Sequence, residues 1–142
     1  MGQISWTEDL FTGSSLIDGD HHKLLGLVNA LIETMESAQD NQRMSKAMND
    51  LIAYAREHFG REEAEMERIQ YVAVLAHRAA HSKLLAQLAE LKAMLDAGGK
   101  INVPAVADFL KEWLRDHILK IDMKLAASLK THPAPESARQ AH

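Results

Sequence analysis

Tyr54-Ala55-Arg56-Glu57-His58-Phe59-Gly60-Arg61-Glu62-Glu63-Ala64-Glu65-Met66 decides the fold, together with His77-Arg78-Ala79-Ala80-His81, which follows a break in the pattern near Tyr71. An α-helix turns by about 100° per residue, so side chains four apart project from one face. His58 and Glu62 are such a pair, and His77 and His81 are another. Imidazole nitrogen combined with carboxylate oxygen suits iron, manganese or zinc. One pair at helical spacing is ordinarily a surface or core feature, so the weight falls on the other histidines. Of the eight in the chain, His21, His58, His77, His81 and His117 all lie on apolar-periodic segments. His132 and His142 sit in a polar tail, and His22 falls on the polar side of its segment.

Working outward, the periodicity marks four amphipathic helices. The first carries His21, Leu24, Leu25, Val28, Leu31, Ile32 and Met35 inward, with Asp18 or Asp20 as its expected cap. The second follows a polar stretch at 37–43 and aligns Met44, Met48, Leu51, Ile52, Ala55, His58, Phe59, Glu62 and Met66. On it, Glu63, Glu65, Glu67 and Arg68 read as solvated charge. The third places His77, His81, Leu84, Leu85, Leu88, Leu91 and Leu95 on its stripe and stops at Gly98-Gly99. Asn102 followed by Val103-Pro104 predicts the start of the fourth, since asparagine caps well and proline suits a first turn. That helix carries Val106, Phe109, Leu110, Trp113, Leu114, His117, Ile118, Ile121, Asp122 and Leu125.

The fold class expected is all-α: an antiparallel up-down four-helix bundle over residues 17–129. An N-terminal arm at 1–16 precedes it, and a short, disordered C-terminal tail at 130–142 follows. Trp6, Leu10 and Phe11 are expected to pack the arm onto the bundle. The chain of 142 residues is long enough to bury a core without disulfides, and it has no cysteine to form them. A formal charge of -4 gives no reason to expect nucleic acid or an anionic membrane as partner. No apolar run is long enough to span a bilayer. The N-terminal sequence lacks the basic and apolar regions of a secretory signal, and Trp6 stands where a myristoylation motif wants Ser or Thr. A cytoplasmic protein is therefore expected.

Bundles of this kind place metals in their core. Each helix offers an inward donor: His21 from the first, His58 and Glu62 from the second, His77 and His81 from the third, and His117 and Asp122 from the fourth. That set exceeds what one tetrahedral zinc ion uses and suits two six-coordinate ions sharing carboxylates. Buried without metal, it would be costly by several kcal/mol. His117 and Asp122 lie five apart, about 140° around an α-helix, and so are not expected to aim straight at one ion.

The motifs Ile17-Asp18-x-x-His21-x-x-Leu24, His58-Phe59-x-x-Glu62-Glu63-x-x-Met66, His77-x-x-x-His81 and Trp113-Leu114-x-x-His117-Ile118-x-x-x-Asp122 resemble the hemerythrin family, specifically its single-domain bacterial members. The resemblance implies two iron ions per chain, Fe2+ or Fe3+, with an oxo or hydroxo bridge. It implies His77, His81 and His117 on one iron, His21 and His58 on the other, and Glu62 and Asp122 bridging. The second iron is one ligand short, and in the family that position takes dioxygen. Leu24, Phe59, Trp113, Leu114 and Ile118 match the positions with which the family lines its oxygen pocket, and ordinary core packing accounts for them equally. Two positions depart from the family pattern: Asp20 where glutamine is usual, expected to alter hydrogen bonding near His21, and Val72 after Tyr71 where proline is common.

The function expected is reversible dioxygen binding for delivery, storage or buffering, and not enzymatic turnover. No Glu-x-x-His motif of the di-iron oxygenases and oxidases occurs in the sequence. The alternatives are oxygen or redox sensing through a separate partner protein, and slow peroxidase or nitric-oxide chemistry at the same site. Iron storage would require many irons per chain.

Overall fold

The computed structural model describes residues 4–37 and 40–132. Its elements are helices throughout: a short 3-10 turn at Glu8–Leu10, then α1 (Ser15–Ser37), α2 (Asn41–Arg68), α3 (Val74–Asp96), α4 (Val103–His117) and α5 (Met123–Lys130). A π-helical turn, Ile118–Asp122, joins α4 to α5, so the two make one rod. The architecture is an antiparallel four-helix bundle in which α1 packs against α2 and α4, and α2 against α3.

Local chemistry sets the helix ends. Asp40 caps α2 by accepting from the backbone N–H of Gln42 at 2.9 Å, and Asn102 caps α4 by accepting from that of Ala105 at 3.0 Å. Two helices end in the same way. Gly98, at φ +80°, lets Gly99 N–H reach the carbonyl of Met94 and closes α3. Gln70, at φ 53°, lets Tyr71 N–H reach the carbonyl of Met66 and closes α2. Val72 after it is almost fully exposed, so the turn is made without the proline the family pattern favours there.

The start of α1 differs from expectation. The helix begins at Ser15, and the Ser14 hydroxyl accepts from the Ile17 N–H at 3.3 Å in the capping position. Asp18 lies within the first turn and folds back over the helix N-terminus. Its carboxylate accepts from the backbone N–H and hydroxyl of Thr12 and from the N–H of Gly13, which locks the arm's approach.

The arm packs as expected in two of three places. Leu10 is buried, Trp6 stacks on the His22 ring at 3.8 Å between centroids, and Asn29 exchanges two hydrogen bonds with the backbone of Ile4. Phe11 is instead 63% exposed, because the turn that directs Leu10 inward directs its neighbour out. The disorder expected of the tail falls largely on residues 133–142, outside the described residues.

Apolar packing divides into two unequal parts. The larger, built on Leu31, Ile32, Met35, Met48, Leu88 and Leu110, fills most of the bundle. The smaller holds Ile17, Met66, Leu125 and Ala126, from the start of α1, the end of α2 and α5. The buried polar side chains of all four helices therefore form a layer near one end of the bundle, with hydrocarbon on either side.

Candidate metal centre

His21, His58, Glu62, His77, His81, His117 and Asp122 are each at most 4% exposed. An isolated carboxylate or imidazolium in such a place would cost several kcal/mol, so partners must be found for every one. They are found in each other. Glu62 lies 3.2 Å from His58 Nε2 through one oxygen, and 3.0 and 3.4 Å from the Nε2 atoms of His81 and His77 through the other. Asp122 lies 3.0 Å from His77 Nε2 and 3.2 Å from His117 Nε2 through Oδ1, and 2.7 Å from His21 Nε2 through Oδ2.

The proximity of His117 to Asp122 corrects the expectation that their five-residue spacing turns them apart. A π turn closes hydrogen bonds five residues back, as Met123 N–H does to the carbonyl of Ile118. Residues five apart then stand nearly one above the other, and His117 and Asp122 face the same centre.

Several of these contacts are close without being hydrogen bonds. The Nε2 atoms of His58, His77, His81 and His117, both oxygens of Glu62 and Oδ1 of Asp122 have no aligned hydrogen-bond partner among the described residues. Lone pairs that converge with no proton well placed between them are what a cation would satisfy. The donor atoms form two groups, each lying within 4.8 Å: Glu62, His77, His81, His117 and Asp122 in one, His21, His58, Glu62 and Asp122 in the other. The two carboxylates belong to both. Hard oxygen and borderline nitrogen donors, with no thiolate, fit a pair of iron-like cations.

Protonation substitutes for metal in the polypeptide alone. Burial pushes the pKa of His58 down, but Asp20 and Glu62 outweigh it and raise it to about 9. Burial acts likewise on His77, whose contacts with Asp122 and Glu62 raise it to about 9. For Asp122, burial pushes upward, yet the imidazoles of His117, His21 and His77 hold it well below the ordinary carboxylate range. For Glu62, burial and the Asp122 charge push upward and the imidazoles of His58, His77 and His81 win, again well below that range. With His58 and His77 favoured in their protonated form beside Glu62 and Asp122, a metal bound at this centre would displace protons.

Aromatic rings cover the imidazoles. Phe59 stacks on His81 at 3.8 Å with 6° between planes, and Trp113 stacks on His117 at 4.8 Å. Phe59, Leu24, Leu114 and Ile118 are buried in the larger apolar cluster, and Trp113 packs against it half-buried.

Three features were not read from the sequence. The Asp20 carboxylate is directed to His58 and not to His21: it accepts from His58 Nδ1 at 2.9 Å, from the Tyr54 hydroxyl at 2.8 Å and twice from Arg61 at 2.9 Å. Burial raises the pKa of Asp20, and these donors bring it well below the ordinary range. Glu63 is not merely solvated charge, for its Oε2 accepts from His81 Nδ1 at 2.9 Å. The π turn is the third. An Asp beside a histidine and a doubled Glu are faint signals, because the partners they meet lie on other helices.

No helix among the described residues is long and apolar enough to cross a membrane. The chain is similar to known proteins over most of its length. A sequence model of the hemerythrin HHE cation binding domain family matches residues 12–129. A bacteriohemerythrin of Methylococcus capsulatus is 32% identical over 123 residues, covering 86% of this chain and 93% of the relative. A hemerythrin-like protein of Naegleria gruberi is 27% identical over 121 residues, covering 85% and 89%. A crystal structure of wild-type hemerythrin superposes with a TM-score of 0.83 at 30% identity, over 90% of this chain and 98% of its own.

Proposed function

The chain belongs to the hemerythrin family, and we propose that it binds dioxygen reversibly at a two-iron centre, as a cytoplasmic carrier, store or buffer of oxygen and not as an enzyme. The observation that carries this reading is the pair of buried donor groups that share Glu62 and Asp122 and differ by one member. His77, His81 and His117 would hold one iron, His21 and His58 the other, with both carboxylates common to the two. When bound, the iron pair would supply two electrons for reversible transfer to dioxygen.

The chain's own residues set what can happen there. Five imidazoles and only two carboxylates donate less negative charge than a carboxylate-rich shell, which favours reversible binding over formation of higher-valent iron. Leu24, Phe59, Trp113, Leu114 and Ile118 would line the oxygen pocket. Their hydrocarbon keeps water and anions from the centre and offers no acid or base to move a proton. That lining favours binding over turnover.

Iron analysis with turnover assays tests the proposal. Two irons per chain, with peroxide and nitric-oxide consumption no faster than free iron provides, are expected. Sustained turnover well above that background would replace binding with catalysis, and many irons per chain would replace it with storage.

A further inference from the structure

Two histidines of the centre carry a carboxylate on the ring nitrogen that faces away from it, and there is one in each donor group. His58 Nδ1 meets Asp20 Oδ2 at 2.9 Å, and His81 Nδ1 meets Glu63 Oε2 at 2.9 Å. His21 and His77, by contrast, have no hydrogen-bond partner for Nδ1 among the described residues.

The two carboxylates are held very differently. Asp20 is buried and gripped by the forked Nε and Nη2 of Arg61, with the Tyr54 hydroxyl on the same oxygen as Nη2. That grip fixes both its angle and its charge. The Glu63 side chain is 30% exposed, and the nearest Arg78 nitrogen stands 3.5 Å away while that guanidinium also reaches Glu67.

We propose that the Asp20–Tyr54–Arg61 clamp on His58 secures metal in the four-donor half of the centre, and that Glu63, through His81, does so more weakly for the five-donor half. Both are positioning residues, and the proposal rests on the two-metal reading above. A ligating imidazole must present the Nε2 lone pair and keep its proton on Nδ1. A carboxylate on Nδ1–H fixes that tautomer, sets the ring's rotation and raises the donor strength of Nε2. The half with His21, His58, Glu62 and Asp122 has one protein ligand fewer, so it depends most on the quality of each. Its histidine is the one that receives the buried, fully engaged carboxylate.

Anaerobic titration of the iron-free full chain with Co(II), followed by visible absorption and calorimetry, separates the halves. The wild-type protein is expected to take two ions in two steps, the five-donor half first. Asp20→Asn should weaken the second step by about 10- to 100-fold and leave the first within about threefold. Glu63→Gln should weaken the first step, by about tenfold at most. Arg61→Gln, which keeps the Asp20 carboxylate but frees it from the fork, should weaken the second step by less than Asp20→Asn. It also serves if that variant does not fold. In the Zn(II)-loaded protein, proton NMR should show slowly exchanging imidazole N–H signals for His58 and His81, and Asp20→Asn should move only the first. Equal weakening of both steps by either carboxylate variant, or unchanged affinity in Asp20→Asn or Arg61→Gln, would overturn the clamp. Failure of the wild-type protein to take two ions would instead overturn the two-metal reading itself.

Discussion

Raising the pH of the iron-free protein from about 6 to about 10 is expected to destabilise it by several kcal/mol, because the fold holds protons where it would hold metal. His58 and His77 carry pKa values raised to about 9 by Asp20, Asp122 and Glu62 against the opposing effect of burial. In the unfolded chain an imidazole titrates near about 6.5. A raised value means stability that is fully present below the unfolded pKa and lost as pH climbs through the folded one. One such shift is worth about 3 kcal/mol at ~1.4 kcal/mol per unit. The two histidines share Glu62, so their contributions do not simply add, and roughly 3 to 5 kcal/mol is expected for the pair. With a urea dependence of about 2 kcal/mol per molar, the unfolding midpoint should fall by roughly 1.5 to 2.5 M. Urea unfolding of chelator-treated protein, followed by circular dichroism at a series of pH values, measures this directly. Glu62 and Asp122 do not confuse the window: their depressed values give stability present above the ordinary carboxylate range and lost only in acid. Tyr54, pushed up to about 12 by burial and by Asp20, titrates beyond it. Metal-loaded protein should show no such fall across the same range, since its ligating imidazoles have already given up those protons. An iron-free midpoint that stays constant from pH 6 to pH 10 would refute the reasoning.

Metal uptake should tighten as pH rises toward about 9 and release protons, measurable by calorimetry in buffers of different ionisation enthalpy. Deleting Lys120 from the π turn should convert it to α-helix, leave His117 and Asp122 on one face and retain two metals per chain. Inserting an alanine after Lys120 should separate them and abolish the site. Leu114→Ala should cost about 3 to 5 kcal/mol in urea unfolding, as removal of a fully buried side chain does. With iron content unchanged, it should also hasten loss of the oxygenated form by opening the apolar lining to water. Asn102→Ala should remove the cap of α4 at a cost of about 1 kcal/mol and leave metal binding intact.

What the sequence disclosed depended on whether a signal repeats along one helix. The inward stripe of α2 from Met44 to Met66 was legible because nine side chains obey one period, and all nine are buried. The end of α3 and the start of α4 are legible because Gly98 and Asn102 act on their own helix. Asp20 reads on its own helix as a cap and a neighbour of His21, and Glu63 as solvated charge, whereas the role of each is decided by a histidine on another helix. His117 and Asp122 would diverge on a regular α-helix, and they converge because the backbone inserts a π turn between them that no residue type in the stretch announces. Phe11 shows the same limit at small scale, since hydrophobicity alone does not say which of two neighbours in a turn faces inward.

The visible spectrum of dithionite-reduced, desalted protein through repeated cycles of air and nitrogen, with iron determined on the same sample, tests the central claim most directly. At two irons per chain, a colour that develops in air and fades under nitrogen over several cycles is the predicted result. A single irreversible oxidation at that stoichiometry would contradict reversible oxygen binding, and a chain that holds no stoichiometric iron would contradict the metal centre itself.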